Sequence, residues 1–439
     1  MDFVVGVDLG TGGVRAVAAG QDGTLLASAS RPVVTRGSDG RREQRVDEWL
    51  EGVERVLDEL FSSLSGTLLA IAVTSTSGTV ACDGTALLYS DGRARDDAPA
   101  CSFALGTPMN ATWGLPKMRW LARHGARGRF LHAGDVLNEW LLGESCATDF
   151  TSALKSGYDG GWPEEALARL GISTERLPRV VAPGTVLGRV RSDLCRRWGM
   201  EGEPRVVAGV TDANAAFYAS GATRTGEWSS AIGSTLAVRC LASREMRDPM
   251  GRFYSHRHPD GGRVVAGASS AGLAGMPEVA WEKVDPTVVP AGVWYPLVGT
   301  GERLPFASDT ARAIWCGPPC GDNGAAFGLA LVERWIYALA ESLGASRLEA
   351  VFTTGGGARL DVLSQVRANV LEVPVVLARC PDAAFGAAIV AASGATGRSV
   401  TACAETMVRE ERRFEPSALS GTVAALERLR TAMEDASPP

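Results

Sequence analysis

No apolar run in this 439-residue chain is long enough to cross a bilayer; the longest are short and interrupted by glycine, so no membrane span is expected. A basic segment followed by an apolar stretch is missing at the N-terminus, which enters a strand directly. No secretory leader is therefore expected, and the expected location is cytoplasmic. An excess of positive charge is missing too. Lys and Arg number 44 against 50 Asp and Glu, a formal net charge of −6, without the clustered basic residues that a nucleic-acid surface needs. The nine cysteines are an odd number spread along the chain and form no disulfide framework; they fit reduced cytoplasmic thiols. Cys316 and Cys320 are the one close pair, without two further ligands at zinc spacing, and His256 with His258 lacks a third ligand. Low-complexity sequence is absent except for the last residues, Asp435 to Pro439, which are expected to be disordered. No Gly-x-x-x-x-Gly-Lys-Ser/Thr run exists, which excludes a P-loop, and the Gly-x-Gly-x-x-Gly spacing of NAD-binding folds is missing as well.

What remains is ordinary globular composition, 45% hydrophobic and 21% charged, in a length that suits two domains. A glycine turn occurs in both halves. Residues 3–7 and 14–19 are apolar strands joined by Gly10-Thr11-Gly12-Gly13, and residues 24–29 continue an antiparallel meander. Trp228 to Ile232 and Leu236 to Cys240 are joined in the same way by Gly233-Ser234-Thr235. Such tips direct several backbone N–H groups to one point, a concavity that binds phosphate. Asp47 is expected to cap a helix with an apolar stripe through Trp49, Leu50, Val53, Val56, Leu57, Leu60, Phe61 and Leu64. Buried strands are expected at 68–73, 206–210 and 348–353, helical patterns within 115–143, 213–220 and 324–343, and irregular structure over 85–107. Strands followed by helices in both halves predict an α/β protein. The boundary falls near Gly221 to Arg224, giving domains 1–222 and 223–434.

Asp8 ends the first strand, just before a phosphate-suited turn. A carboxylate there needs a cation between itself and phosphate, which makes Asp8 a candidate Mg²⁺ ligand. Thr11 and Arg15 could add hydroxyl, N–H and charge; alternatively Asp8 and Thr11 only satisfy the hairpin backbone. Asp212 follows the strand 206–210, at the end where ligands collect in open α/β sheets. It could accept a proton from a hydroxyl during phosphoryl transfer, or simply cap the next helix. Gly355-Gly356-Gly357 lie between a strand and a helix, an arrangement suited to the adenosine side of a nucleotide. The hydroxyls of Thr74 to Thr79, Ser75, Thr76 and Ser77 among them, and the carboxylate of Asp91 are suitable partners for a polyol.

In their order along the chain these segments resemble the FGGY carbohydrate kinase family. The resemblance rests on Val5 to Gly13, Tyr89-Ser-Asp91-Gly-Arg93, Ala208 to Asn214, Ala231 to Thr235, Tyr295 to Phe306 with Gly301-Glu302-Arg303, Thr354 to Arg359, and Asp382 to Ala388. Thr76-Ser77-Gly78-Thr79 stands where many members carry Gly-Gln. Together with the segment Ser145 to Asp159, it is similar to the short plant and cyanobacterial xylulokinase-like D-ribulose kinases.

The resemblance implies two actin-like (ribonuclease H-like) domains flanking a cleft, the first for sugar and phosphate, the second for nucleotide. It implies ATP and Mg²⁺ as cofactors and a small-molecule sugar as partner, in a monomer or homodimer. Asp212 would be the catalytic base and Asp8 would orient Mg²⁺. Gly10, Thr11, Gly12, Arg15, Gly233, Ser234 and Thr235 would hold phosphates, and Gly355, Gly356 and Gly357 the adenosine side. Asp8, Ser75, Thr76, Ser77, Asp91 and Asp212 would meet the sugar. The expected reaction is phosphorylation of a ketopentose at its terminal hydroxyl, D-ribulose first, D-xylulose or another polyol as the alternative. An actin-like ATPase switch uses the same two hairpins but has no reason to keep Asp212, Asp91 and Gly301-Glu302-Arg303 together.

Overall fold

The computed structural model describes residues 1–200 and 202–436; Ser437 to Pro439, part of the tail expected to be disordered, lie outside the described residues. Asp435 and Ala436 of that tail belong to the helix Thr422–Ala436.

The chain divides into two compact units, Met1–Ala219 with Asp382–Met407, and Ser220–Pro381 with Val408–Pro439. The first unit is built on β1 (Asp2–Gly10), β2 (Gly13–Gly20), β3 (Leu25–Pro32), β4 (Thr67–Ser75), β5 (Val186–Arg189) and β6 (Arg205–Val207). Their order is β5-β6-β4-β1-β2-β3. β1 pairs antiparallel with β2, and β2 with β3, while β1, β4 and β6 run parallel. Phe3, Val4, Val5 and Val7 of β1 are all fully buried, the unbroken apolar run of a strand covered on both faces.

One cover is the helix Val46–Ser62, which buries Trp49, Val53, Val56, Leu57, Leu60 and Phe61 of the predicted stripe; Leu50 is half-buried and Leu64 lies past the helix end. It begins at Val46 after Arg45, with no side-chain cap; Asp47 sits inside its first turn and pairs with Arg45 instead. The other cover is the helix Ala383–Thr396, which packs across β1, β2, β4 and β6. The sequence boundary assigned this helix to the second half, but it belongs to the first unit. Its composition gives the reason: Ala-Ala-Phe-Gly-Ala-Ala-Ile-Val-Ala-Ala-Ser-Gly is apolar on every side and is buried almost throughout, so it needs cover all round. The approach is close enough that a Cβ on Gly6 would lie 2.0 Å from the Ala384 carbonyl oxygen.

The second unit repeats this plan with β7 (Glu227–Ile232), β8 (Leu236–Ala242), β9 (Phe253–Arg257), β10 (Arg263–Ser269), β11 (Ala350–Thr354), β12 (Val375–Ala378) and β13 (Glu410–Phe414). The order is β9-β10-β8-β7-β11-β12-β13. β7/β8 and β8/β10 are antiparallel, and β7, β11 and β12 parallel, as in the first unit. Even the outer antiparallel strand recurs, β5 beside β6 and β13 beside β12. The long helix Gly321–Ser342 and the helix Asp361–Leu371 pack together in its core.

The 85–107 stretch is more ordered than its sequence suggests. Thr85–Leu87 joins Glu43–Arg45, Val80–Cys82 and Leu131–His132 in a small four-stranded sheet, and Ala98–Leu105 is a helix. Among the described residues no helix is long and apolar enough to cross a membrane.

Candidate active site

Each unit gathers its motif residues at the carboxyl ends of its parallel strands. In the first, the hairpin turn is Thr11-Gly12, with Gly10 opposite Gly13. The carbonyl of Thr11 accepts a hydrogen bond from the Gln44 amide (2.8 Å), and Gln44 in turn accepts one from the Trp49 indole (2.7 Å). Gln44 therefore braces the turn from a buried position, a role its sequence surroundings did not suggest. Asp8 stands in register with Arg15 on β2 and Thr74 on β4, and Ser75 bridges to Thr211, the residue before Asp212. Strand register thus assembles Asp8, Arg15, the start of the Ser75–Thr79 segment and Asp212 from stretches up to two hundred residues apart.

Asp212 is the first residue of the helix Asp212–Ser220, and its Oδ1 accepts the Ala213 N–H at 2.8 Å. The strand before it stops at Val207, so 208–211 form the approach to the helix instead of the expected longer strand. Asp382 heads the helix Ala383–Thr396 and caps it through Phe385 N–H at 2.9 Å.

These carboxylates feel one another. Burial, and then the negative charges of Asp212 and Asp382, push Asp8 from its ordinary 3.8 up to about 7, against the pull of Arg15. Its Oδ1 is buried with no hydrogen-bond donor. A desolvated carboxylate oxygen without a donor, next to further negative charge, fits a cation. Among the described residues no three His, Cys, Asp or Glu side chains are grouped to hold a metal. Mg²⁺ takes one or two carboxylates and fills its octahedron with water and phosphate oxygens.

The linkage has a definite sign. Folded Asp8 keeps its proton up to about pH 7, whereas the unfolded chain loses it near 3.8. Stability from this group is complete below pH 4 and is lost as pH rises toward 7. Asp8→Asn removes that loss. It is expected to raise unfolding stability at pH 8 by on the order of 2–4 kcal/mol and to change little at pH 4. Urea unfolding without Mg²⁺ at the two pH values checks this; equal shifts at both would overturn it.

The sugar-suited residues divide. Ser75 is buried, and its hydroxyl accepts the Gly134 N–H (2.9 Å) at the start of the helix Ala133–Leu142; Thr76 and Ser77 follow the strand end, partly exposed. Asp91 was expected to meet a polyol directly, yet it is fully buried. Its oxygens accept the Arg42 N–H (2.7 Å), the Arg93 N–H (3.0 Å) and the Arg93 guanidinium (2.8–3.1 Å). About four lone-pair directions exist on a carboxylate, and these donors use them. Arg93, partly exposed and 4.8 Å above the Trp120 ring, is also paired with Glu43 at 2.9 Å. The same loop is held by Lys117, which the helical pattern hid. It is fully buried, with its ammonium donating to the carbonyls of Tyr89 (3.2 Å), Trp113 (3.3 Å) and Ala111. Burial lowers its pKa to about 7, helped by Lys155 and opposed by Asp91.

In the second unit the turn Gly233-Ser234-Thr235 and the glycines at 355–357 meet because β7 and β11 are neighbours, with Ala231 opposite Thr354. Gly355 has φ +82, and a Cβ there would lie 2.5 Å from the Ile232 carbonyl oxygen, so the position requires glycine on two grounds. The glycines open a short 3-10 turn, Gly356–Arg359, before the helix begins at Asp361, instead of opening the helix directly.

A loop braces the hairpin. Gly233 and Ser234 carbonyls accept the Leu273 and Ala274 N–H groups at 3.0 and 3.3 Å. Buried Glu302 anchors that loop, accepting the Ser269 hydroxyl (2.8 Å), the Ser270 N–H (2.6 Å) and the Tyr295 hydroxyl (2.9 Å). The Gly301-Glu302-Arg303 segment thereby acquires a physical role. Cys316 is buried on a strand, Cys320 accepts the Gly292 N–H (3.2 Å), and burial holds His256 down at about 4.

Two family models match the chain: the FGGY family of carbohydrate kinases, N-terminal domain, over residues 3–218, and the C-terminal domain of the same family over residues 264–395. The chain is 25% identical to a xylulose kinase of Bacillus subtilis, over 95% of this chain and 93% of the relative. It is 23% identical to a xylulose kinase of Escherichia coli, over 83% and 84%. Among solved structures, a kinase of Brucella ovis described as a xyloylose kinase superposes with a TM-score of 0.86 at 20% identity, covering 99% and 98% of the two chains. The xylulose kinase of Rhodospirillum rubrum gives 0.83 at 24% identity, with the same coverage. Glycerol kinase of Plasmodium falciparum with ADP gives 0.85 at 14%, again with that coverage. With both of its domains matched in order on a repeated α/β unit, this chain belongs to the FGGY family of carbohydrate kinases.

Proposed function

We propose that this chain transfers the terminal phosphoryl group of ATP to the terminal hydroxyl of a ketopentose. D-xylulose is the favoured acceptor, because xylulose kinases are relatives that align over most of its length. D-ribulose, the first expectation from the sequence, is the second reading, supported by Thr76-Ser77-Gly78-Thr79 in place of Gly-Gln.

One observation carries the reading: Asp8 lies in register with Thr74, and the next residue, Ser75, bridges to Thr211, so Asp8 and Asp212 stand at neighbouring strand ends of the first unit. The two carboxylates then take different roles. Asp212 accepts the proton of the attacking hydroxyl, and Asp8 would hold Mg²⁺, which when bound neutralises phosphate charge. Asp91 acts through Arg93, which it orients toward the sugar with Ser75, Thr76 and Ser77. In the first unit Gly10, Thr11, Gly12 and Arg15 serve phosphate; in the second unit Gly233, Ser234 and Thr235 serve phosphate, and Gly355, Gly356 and Gly357 serve the adenosine side. Nine cysteines, an odd number spread along the chain, suit a reducing cytoplasm.

The test is ADP release from Mg-ATP with D-xylulose, D-ribulose, L-ribulose, ribitol, glycerol and no sugar. Strong stimulation by D-xylulose is expected. Stimulation by D-ribulose alone would select the second reading, and equal release with every sugar and with none would remove the pentulose reading.

A further inference from the structure

The segment Ser145 to Asp159 stands out in the sequence but takes no part in the chemistry so far. Its centre is the buried Asp149, which caps the single-turn helix Phe150–Ala153. Asp149 accepts the N–H groups of Thr151 (2.7 Å) and Ser152 (3.0 Å), the Ser152 hydroxyl (2.6 Å) and the Thr151 hydroxyl. With its proton given to Asp149, the Thr151 oxygen has only lone pairs left to offer. It accepts the Thr211 N–H at 2.9 Å. At the other end of the same peptide unit, the Val210 carbonyl accepts the Thr74 hydroxyl at 2.6 Å.

The peptide joining Val210 to Thr211 is thus held at both ends by threonine hydroxyls from two separate elements. Thr74, Thr151 and Thr211 are all at most 4% exposed, so water cannot replace either bond without opening the core. The Thr211 side chain and carbonyl then start the next helix, accepting the Asn214 side-chain amide (2.9 Å) and the N–H groups of Asn214 and Ala215. The next residue is Asp212. Its backbone therefore leaves a clamped peptide and enters a fixed helical turn.

We propose that Thr74 and Thr151, the latter oriented by Asp149, are positioning residues that set the direction of the Asp212 carboxylate. The proposal rests on Asp212 being the base. Thr74 also lies in register with Asp8, so one strand end aligns both carboxylates. Neither threonine touches the reacting atoms; each acts through the 210–211 peptide.

Thr151→Val and Thr74→Val keep the shape and remove the hydroxyl, and Thr151→Ser keeps the hydroxyl. Steady-state kinetics on the whole chain, with Mg-ATP and the sugar that stimulates it, should show kcat falling about 10- to 100-fold in each valine variant. KM for both substrates should stay within about threefold, because binding is not the function of this peptide. Thr151→Ser should recover most of kcat. Thermal melting of each variant separates misplacement from unfolding, and Thr74→Val tests the same peptide independently if Thr151→Val does not fold. Folded valine variants with near-normal kcat, or a loss that serine fails to rescue, would overturn the proposal. Asp212→Asn, measured alongside, separates the two ideas: a silent valine variant beside an inactive Asp212→Asn removes only the positioning role, whereas an active Asp212→Asn removes the base.

Discussion

Asp212→Asn lowers kcat for sugar phosphorylation by roughly 10²- to 10⁴-fold, the range a positioned general base contributes, and leaves both KM values nearly unchanged. Asparagine matches the carboxylate in size and can still accept the Ala213 N–H, so the helix start and its 2.8 Å contact survive. What it cannot do is take a proton. The remaining rate comes from alignment and charge stabilisation, which dominate phosphoryl transfer and do not depend on the base. A second readout belongs to the same variant. Asp212 is one of the charges that raise the pKa of Asp8; removing it allows Asp8 to ionise at lower pH. The fall in stability that starts near pH 4 should therefore end at lower pH, and be smaller, in Asp212→Asn than in wild type, as read by urea unfolding across that range. Near-normal turnover would exclude Asp212 as the base, and an unmoved pH dependence would exclude the coupling.

Most of the sheet plan was legible because it rests on local signals. The two glycine turns lie between apolar strands, and the helix Val46–Ser62 shows its stripe at helical spacing. Asp8, Asp212 and Gly355 to Gly357 could be picked out because strand ends and glycine turns are local features as well. What surrounds each of them within its own unit is not local. The registers Asp8 with Thr74 and Ala231 with Thr354 pair residues far apart in the chain. The helix Ala383–Thr396 misled for a related reason. Its small apolar residues carry no face, so nothing local says which unit's sheet it covers. Asp91 misled because an acidic residue in a polar loop reads as exposed; only the fold reveals the Arg42 N–H and the Arg93 guanidinium that occupy it. Gln44, Lys117 and Glu302 act from buried positions on backbone carbonyls, N–H groups and hydroxyls, and such partners leave no pattern along the sequence.

Arg367→Met is expected to destabilise the chain by about 3–5 kcal/mol, the cost of leaving one partner of a buried ion pair unpaired. Arg367 and Glu333 are both completely buried in the second unit. The guanidinium donates in parallel, Nε to Oε2 at 2.7 Å and Nη2 to Oε1 at 2.9 Å, and its Nη1 reaches the Thr353 hydroxyl at 2.7 Å. Tyr337 adds a hydroxyl donor to Glu333 at 2.7 Å. Burial alone would raise the Glu333 carboxyl, but the facing guanidinium holds it below its ordinary value, so the pair is ionised where it sits. Without Arg367, Glu333 keeps Tyr337 but has no countercharge, and it must either take up a proton or open the core to water. The double variant Glu333→Leu/Arg367→Met should be more stable than Arg367→Met, because no uncompensated charge is left behind; a double-mutant cycle by urea unfolding measures the difference. The pair also has a functional reach. Thr353 is two residues before Gly355 on the strand that carries the glycine turn, and Arg367 fixes its hydroxyl from the helix that follows that turn. In both variants the glycines lose this anchor, so KM for ATP should rise more than KM for the sugar, even in the double variant where stability is partly recovered. Stability unchanged to within about 1 kcal/mol in Arg367→Met would show that water or protonation satisfies Glu333 at little cost. A KM for ATP equal to wild type in the stable double variant would show that the turn holds its shape without support from below.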